Sequence, residues 1–180
     1  MAKRIITISR EFGSGGRFIG EEVAKKLGIA YYDKEMIGQI AEQAGLSSEY
    51  VRENAELSPK KGWFAYAFSG RDITGKSVED MVYEAQRKVI MEIAEKENCV
   101  IIGRNADFIL KDRKDVLNVF IHGSIPEKVR RICSLYNVTE VDAIKMINDI
   151  DKRRRTNYNF YTEQKWGMAE NYTMSLNSSV

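Results

Sequence analysis

The residues best suited to chemistry lie near the start of the sequence, where a glycine-rich run separates an apolar segment from a segment with helical spacing. The run is Ser9-Arg10-Glu11-Phe12-Gly13-Ser14-Gly15-Gly16-Arg17-Phe18. When such a run joins a strand to a helix, backbone N–H groups and the positive end of the helix dipole converge on an anion. Glycine lets a phosphate approach the backbone closely and tolerates positive φ angles. The run predicts a phosphate-binding loop whose ligand-binding residues are Gly13, Ser14, Gly15, Gly16, Arg17 and Phe18.

Two side chains of this loop can add to the backbone donors. Ser14 carries a hydroxyl, and Arg17 offers a forked cation that matches phosphate. The run departs from the common pattern GxxxxGK[ST], because Gly16 stands where lysine should follow Gly15 and the hydroxyl position is also lost. We expect Arg17 to supply the missing charge one position later. A glycine-rich turn without a ligand, with Arg17 as a surface side chain, is the alternative.

Two more polar side chains follow short apolar runs. Asp33 ends the run from Ile29 to Tyr32, and Arg104 follows Gly103 after the run Val100–Ile102. The carboxyl ends of strands are where open α/β sheets bind ligands. Asp33 could position magnesium through water or orient an acceptor, and it could equally cap a helix that begins at Lys34. Arg104 is favoured as a ligand-facing residue over a loop arginine paired with a carboxylate.

A block of four basic residues runs from Lys152 to Arg155. Basic runs are more often a solvated helix face than a site. A lid is the exception, because its closure brings arginines over a transferring phosphate and excludes water. Adjacent residues of a helix point in different directions, so the four side chains cannot all converge. Arg130 and Arg131, on the preceding helix, are weaker candidates for the same role.

The elements that must position these residues alternate along the chain. Strands are predicted at Ile5–Ile8, Ile29–Tyr32, Val100–Ile102, Asn118–His122 and Tyr172–Leu176. Helices are predicted at Phe18–Leu27, Lys34–Ala44, Val78–Asn98, Ile125–Tyr136 and Glu140–Tyr158. Gly28 is expected to end the first helix and Thr139 to cap the last one. Short strands alternating with helices predict an α/β fold, a three-layer sandwich with a mostly parallel sheet.

Composition narrows the function classes. The chain has 180 residues, 43% of them hydrophobic and 30% charged, which predicts one globular domain over residues 1–180. A net charge of +2 argues against nucleic acid as the main partner. Two cysteines without CxxC spacing and a single histidine argue against zinc, so no metal ligand is assigned. The sequence shows no leader and no apolar stretch of about 20 residues, which favours a cytoplasmic protein without a membrane partner. It ends just after a strand pattern, and we expect a closing helix to follow in the natural chain.

Longer segments carry a family resemblance. SREFGSGGRFIGEEVAKKLGIAYYDKEMI resembles the opening of the cytidylate kinase-like family, a branch of the P-loop nucleoside monophosphate kinases in which FGSGGR replaces the lysine loop. Three later segments resemble the same family in the same order: Val100–Ala106, Asn118–Arg131, and Asp151–Arg155 with Tyr158 and Tyr161. The resemblance implies a P-loop nucleoside kinase-like fold. It also implies a substrate-binding helical region at about residues 34–98 and a lid at about residues 151–166.

The resemblance further implies an ATP-dependent kinase that uses Mg²⁺ and phosphorylates a nucleotide such as CMP or dCMP. In that scheme Arg104 meets the substrate phosphate, and Arg153 and Arg155 are the lid arginines that join Arg17 and Asp33 in catalysis. Lys34 and Gln39 stand where cytidylate kinases carry a serine and an arginine. The resemblance therefore favours a kinase more strongly than it favours CMP as the acceptor.

Other functions stay open beside the kinase. A nucleotide-binding regulator without turnover would use the same loop. RNA or another polyanion could bind the arginine block with Tyr158 and Tyr161, although the near-neutral net charge makes this the weakest alternative. The aromatic cluster Trp63–Phe68 is predicted to be a core or oligomer contact rather than a base pocket, so a homo-oligomer is open as well.

Overall fold

The computed structural model describes residues 4–33 and 78–180, except for the side chains of residues 78 and 79. The predicted helix Lys34–Ala44, the aromatic cluster Trp63–Phe68 and most of the predicted substrate-binding region at 34–98 lie outside these residues. The elements, in order, are β1 (Ile5–Arg10), α1 (Gly16–Leu27), β2 (Ala30–Tyr32), α2 (Val78–Lys96), β3 (Cys99–Ile102), α3 (Ala106–Ile109), β4 (Val116–His122), α4 (Ile125–Tyr136), α5 (Glu140–Thr162), a 3₁₀ turn (Ala169–Asn171) and β5 (Met174–Asn177).

The strands of the described residues form one parallel sheet in the order β2-β3-β1-β4-β5. The β-branched run at the start of the chain becomes the central strand β1, in register with Cys99 of β3 and Val116 of β4 at Ile5. Since parallel strands end at the same edge, the loop after β1, Asp33 after β2 and Arg104 after β3 share one edge of the sheet. This confirms the predicted α/β fold.

Helices cover both faces of the sheet. Cys99 and Ile101 of β3 belong to the apolar core shared with α2, whereas Val100 and Ile102 belong to the core that contains Ala24 of α1. All four strand residues are fully buried, which explains why β3 is a continuous apolar run. The three predicted layers are therefore present.

The pair α4 and α5 forms a third apolar cluster built on Val129, Ile132, Ala143 and Ile147. Thr139 caps α5 as predicted, because its hydroxyl accepts the N–H of Asp142 at 3.2 Å. Gly28 ends α1 with φ 64°, also as predicted. Within the described residues, no helix combines the length and the apolar composition needed to cross a membrane.

Candidate active site

The loop between β1 and α1 has the backbone shape of an anion-binding turn. Gly13 and Gly15 adopt φ angles of 80° and 78°, which favour glycine. Gly16 is the first residue of α1, no side chain caps this helix, and its first turn holds no acidic residue. The positive end of the α1 dipole therefore faces the loop without a negative side chain of its own.

Ser14 lies inside the loop rather than at its surface. Its side chain is fully buried, and its hydroxyl donates to the carbonyl oxygen of Glu11 at 2.8 Å. The Ser14 N–H points to the same oxygen at 3.3 Å. The Ser14 hydroxyl was predicted to donate to a phosphate, but in this structure it stabilises the turn of the loop.

A cavity of about 680 Å³ opens in front of the loop. Loop residues from Arg10 to Phe18 other than Ser14 form one side, Asp33 lies at the end of β2, and α4 and α5 form the other side. The residues from α4 and α5 are Arg131, Ile132, Leu135, Tyr136 and Arg154. The volume falls within the range of small-molecule and cofactor sites.

Arg17 and Asp33 meet at the rim of this cavity. Arg17 Nε lies 3.0 Å from Asp33 Oδ2, with the Arg17 side chain 46% exposed and the Asp33 side chain 11% exposed. Burial acts to lower the pKa of Arg17, but Asp33 and Tyr31 outweigh it and the pKa is raised. The structure thus brings together two predicted site residues, one of which neutralises part of the charge of the other. The helix that Asp33 might cap lies outside the described residues.

Two further cations face the loop from the helical side. Arg131 Nη1 donates to the carbonyl oxygen of Gly13. Arg154 Nη1 donates to the carbonyl oxygen of Arg10 at 3.0 Å. Both arginines line the cavity. The sequence ranked Arg131 low and passed over Arg154, although the basic block at 152–155 pointed to the right segment.

The other predicted lid arginines lie elsewhere. Arg153 is half-buried, Arg155 is exposed, and neither lines the cavity. Successive residues of an α-helix are rotated by about 100°. Because Arg154 faces the loop, its two neighbours are turned away from it.

Arg104 lies beside the main cavity, at the end of β3. It is 5% exposed and has a φ of 64°, which is unusual for a residue with a side chain. Its carbonyl oxygen accepts the side-chain amide of Gln86. Arg104 lines a second, smaller cavity of about 20 Å³, together with Arg10 and Arg154, which line both cavities. Arg10 and Arg154 therefore contribute to the walls of both spaces.

A buried charged cluster (Glu11, Lys128 and Asp151) ties the loop to α4 and α5. Lys128 Nζ lies 2.9 Å from Glu11 Oε2 and 3.4 Å from Asp151 Oδ2. Asp151 Oδ1 also accepts the N–H of Phe12 at 2.7 Å. Burial raises the pKa of Asp151, although the Phe12 N–H, Arg154 and Lys128 act to lower it. No local sequence pattern reveals this cluster, because its members are spread along the chain.

A second buried carboxylate lies beneath β1. Asp107 accepts the hydroxyl of Tyr158 at 2.7 Å and the hydroxyl of Ser9 at 3.2 Å. Burial raises the pKa of Asp107, and these two hydrogen bonds oppose the shift. The neighbouring Asn105 donates to Asn157 of α5 at 3.3 Å. Together these contacts fasten the C-terminal part of α5 to the carboxyl edge of the sheet.

Comparison with known proteins finds a family and several solved structures that are similar to this chain. The model of the cytidylate kinase-like family matches residues 5–180. No curated protein sequence is significantly similar to the chain. An uncharacterised protein from Eubacterium ventriosum has a crystal structure that is 28% identical, with a TM-score of 0.70, covering 97% of this chain and 88% of that one.

Two kinases share the fold at lower identity. Shikimate kinase from Bacteroides thetaiotaomicron is 18% identical with a TM-score of 0.54, covering 97% of this chain and 85% of that one. A gluconokinase from Sinorhizobium meliloti is 14% identical with a TM-score of 0.55, covering 99% of this chain and 83% of that one. At these identities the likeness concerns the fold alone.

Proposed function

The chain belongs to the cytidylate kinase-like family, and we propose that it is a cytoplasmic enzyme that transfers a phosphoryl group from ATP to a small acceptor. A nucleoside monophosphate such as CMP or dCMP is the first choice of acceptor. The uncapped start of α1 carries the proposal, because it meets a cavity whose opposite wall holds Arg131 and Arg154. Phosphoryl transfer needs little covalent help from the protein and depends on positioned positive charge.

The loop fits a polyphosphate chain. Glycine at positions 13 and 15 lets the loop adopt its positive φ angles, and the dipole of α1 favours negative charge at Gly16. Arg131 donates to the Gly13 carbonyl oxygen and Arg154 to the Arg10 carbonyl oxygen, so both guanidinium groups are held against the backbone at the start of the loop. These residues would bind and orient the phosphates, and their positive charge would stabilise the charge that develops during transfer.

The fit to magnesium depends on few side chains. ATP supplies the transferable group, and Mg²⁺ neutralises charge on its oxygens. Arg17 stands at the position of the usual hydroxyl ligand. Among the residues that the structure describes, the carboxylates at the cavity are Asp33 and Glu11, and Glu11 is bonded to Lys128. The described residues contain no group of three or more metal-ligating side chains. We therefore propose Asp33 as the residue that would hold a metal-bound water, with phosphate oxygens as the main ligands.

The mouth of the cavity offers a surface for a planar base. Phe18, Leu135 and Tyr136 line it and are each about half exposed. Aromatic and apolar side chains of this kind stack against nucleobases and need no specific hydrogen bond to do so. Arg104 stays the candidate for the acceptor's phosphate. Arg153 and Arg155 are turned away from the loop, and they would meet a substrate only if the part of α5 that carries them moved.

The test begins with thermal unfolding of the chain with and without Mg-ATP. A ligand that binds the native state alone raises stability by ~2.7 kcal/mol at one hundred times its dissociation constant. We expect a clear rise of Tm with Mg-ATP, followed by ADP formation when the nucleoside monophosphates are added one at a time. Arg131→Met should reduce the Tm rise. Arg130→Met is the matched control, since Arg130 lies next to Arg131 but is exposed and paired with Glu127.

Each other outcome selects a different function. A Tm rise without ADP from any acceptor would identify a nucleotide-binding regulator, which the lack of a loop lysine favours. RNA binding that weakens with salt and ignores ATP would identify a polyanion-binding protein. If neither ATP nor GTP changes Tm, the loop does not bind nucleotides and the kinase proposal is wrong.

A further inference from the structure

The loop differs from the common GxxxxGK pattern at two positions, and the two differences are reciprocal. Aligned on Gly15, the pattern places its first glycine at position 10 and its lysine at position 16. This chain has Arg10 at the first position and Gly16 at the second. A cation has been gained at one end of the pattern, and a cation has been lost at the other.

The structure shows why the two positions are linked. A Cβ atom built on Gly16 would lie 2.7 Å from Arg10 Cβ and 3.0 Å from Arg10 Cγ. Real Cβ atoms essentially never approach to 2.7 Å, so a side chain at position 16 would force Arg10 or the loop to shift. The converse also holds, because a lysine at position 16 needs the space that a glycine at position 10 leaves. The space beneath the loop therefore holds the side chain of residue 10 or that of residue 16, but not both. In this protein it holds the side chain of Arg10.

We propose that Arg10 supplies the phosphate-binding cation that the loop lysine supplies in the common pattern. Arg10 ends β1 directly before the loop, is 8% exposed, and lines both the main cavity and the small cavity that holds Arg104. A guanidinium presents its donors in a rigid fork that matches phosphate oxygens. Arg154 bonds the Arg10 carbonyl and fixes the backbone from which this side chain extends.

This inference rests on the proposed function, since it names the cation of the same phosphate site. It also differs from the expectation for Arg17. Arg17 is about half exposed and lies beside Asp33 at the rim of the cavity, whereas Arg10 is buried at the point from which a lysine at position 16 would extend. Arg10 is therefore placed to bind a phosphate, and Arg17 to hold Asp33 at the rim.

A charge relocation tests the proposal. The double variant Arg10→Gly/Gly16→Lys removes the side chain under the loop and recreates GxxxxGK. We compare it with Arg10→Met, Gly16→Lys and the control Arg130→Met, measuring Tm without ligand and the dissociation constant of Mg-ATP. Arg10→Met should weaken ATP binding about tenfold to a hundredfold, the loss expected for one charge-assisted contact. The double variant should recover most of that loss, and its Tm should exceed that of Gly16→Lys.

The outcomes separate this proposal from the proposed function. If the unchanged protein binds Mg-ATP and Arg10→Met binds it equally well, Arg10 is not the cation and the kinase proposal stands. A loss in Arg10→Met that a folded double variant does not restore would overturn the reciprocal exchange. Arg10→Met keeps the apolar stem of the side chain and decides the question if the double variant does not fold. If the unchanged protein fails to bind ATP, both proposals fall.

Discussion

Replacing Lys128 with methionine should destabilise the protein strongly. The Lys128 side chain is 4% exposed and its ammonium group lies between the carboxylates of Glu11 and Asp151. Methionine keeps most of the apolar stem but leaves the two carboxylates without their shared cation. Breaking a buried ion pair by removing one partner costs about 3–5 kcal/mol. We expect about 3 kcal/mol, the lower end, because Glu11 keeps some solvent and Asp151 keeps the N–H of Phe12.

The pH dependence of this loss gives a second readout. Burial raises the pKa of Asp151 in the folded state, so its ionised form already destabilises the fold. This destabilisation is absent below the pKa that Asp151 has in the unfolded chain, about 4. It grows as the pH rises from there through the pKa of Asp151 in the folded state. Without Lys128 the folded pKa of Asp151 rises further. The stability deficit of Lys128→Met should therefore be largest near pH 7 and shrink as the pH is lowered.

Guanidinium chloride unfolding at several pH values measures both effects. Lys145→Met is the matched control, because Lys145 of α5 is 73% exposed and pairs with the exposed Asp142 at 3.5 Å. That variant should stay within about 0.5 kcal/mol of the unchanged protein. The double variant Lys128→Met/Asp151→Asn should recover part of the loss. A Lys128→Met protein within about 1 kcal/mol of the unchanged one at pH 7 would refute the electrostatic role of the cluster.

Two further predictions concern the loop and the buried carboxylate. Gly13→Ala should cost about 2 kcal/mol in denaturant unfolding, since residue 13 has a positive φ and its new Cβ would lie 3.1 Å from the Lys128 carbonyl oxygen. Gly28 also has a positive φ, but a Cβ atom there would meet no atom within 4 Å, so Gly28→Ala should cost less. Equal losses in the two variants would show that crowding does not add to the cost at position 13. Burial raises the pKa of Asp107, so the stability of the unchanged protein relative to Asp107→Asn should fall as pH rises from about 4 through the raised pKa, by up to about 1.4 kcal/mol per pH unit. Unfolding curves that keep a constant difference across pH 4–8 would show that Asp107 does not titrate in this way.

Local sequence was sufficient to place the main elements of the fold. The β-branched run at residues 5–8, the glycine at 28 and the threonine at 139 each act on their near neighbours, and the structure confirms all three. Element ends were less accurate. The last strand is Met174–Asn177 rather than Tyr172–Leu176, because its start is set by pairing with β4. The four-residue helix α3 was not predicted, since one turn has too few residues to show a helical spacing.

The candidate site was predictable in part. The loop shape follows from its glycines, but the cations around it depend on contacts between residues far apart in the chain. Arg131 is separated from Gly13 by 118 positions and Arg154 from Arg10 by 144. In a block of four basic residues, the sequence does not reveal which residue faces inward. The residue types at positions 10 and 16 are plain in the sequence, but the link between them required the distance from the Arg10 side chain to a Cβ atom built on Gly16.

The contacts of α5 bear on how the predicted lid at residues 151–166, which begins within α5, can move. Asp151 bonds the Phe12 N–H, Arg154 bonds the Arg10 carbonyl, Asn157 bonds Asn105, and Tyr158 bonds Asp107. Residues 151, 154, 157 and 158 recur at helical spacing and form one face, which is fastened to the ligand-binding edge of the sheet. A swing of this part of α5 would break all four contacts and expose two buried carboxylates. Closure over the cavity is therefore expected to involve residues after Thr162, where α5 ends, while residues 151–158 stay fixed as part of the site wall.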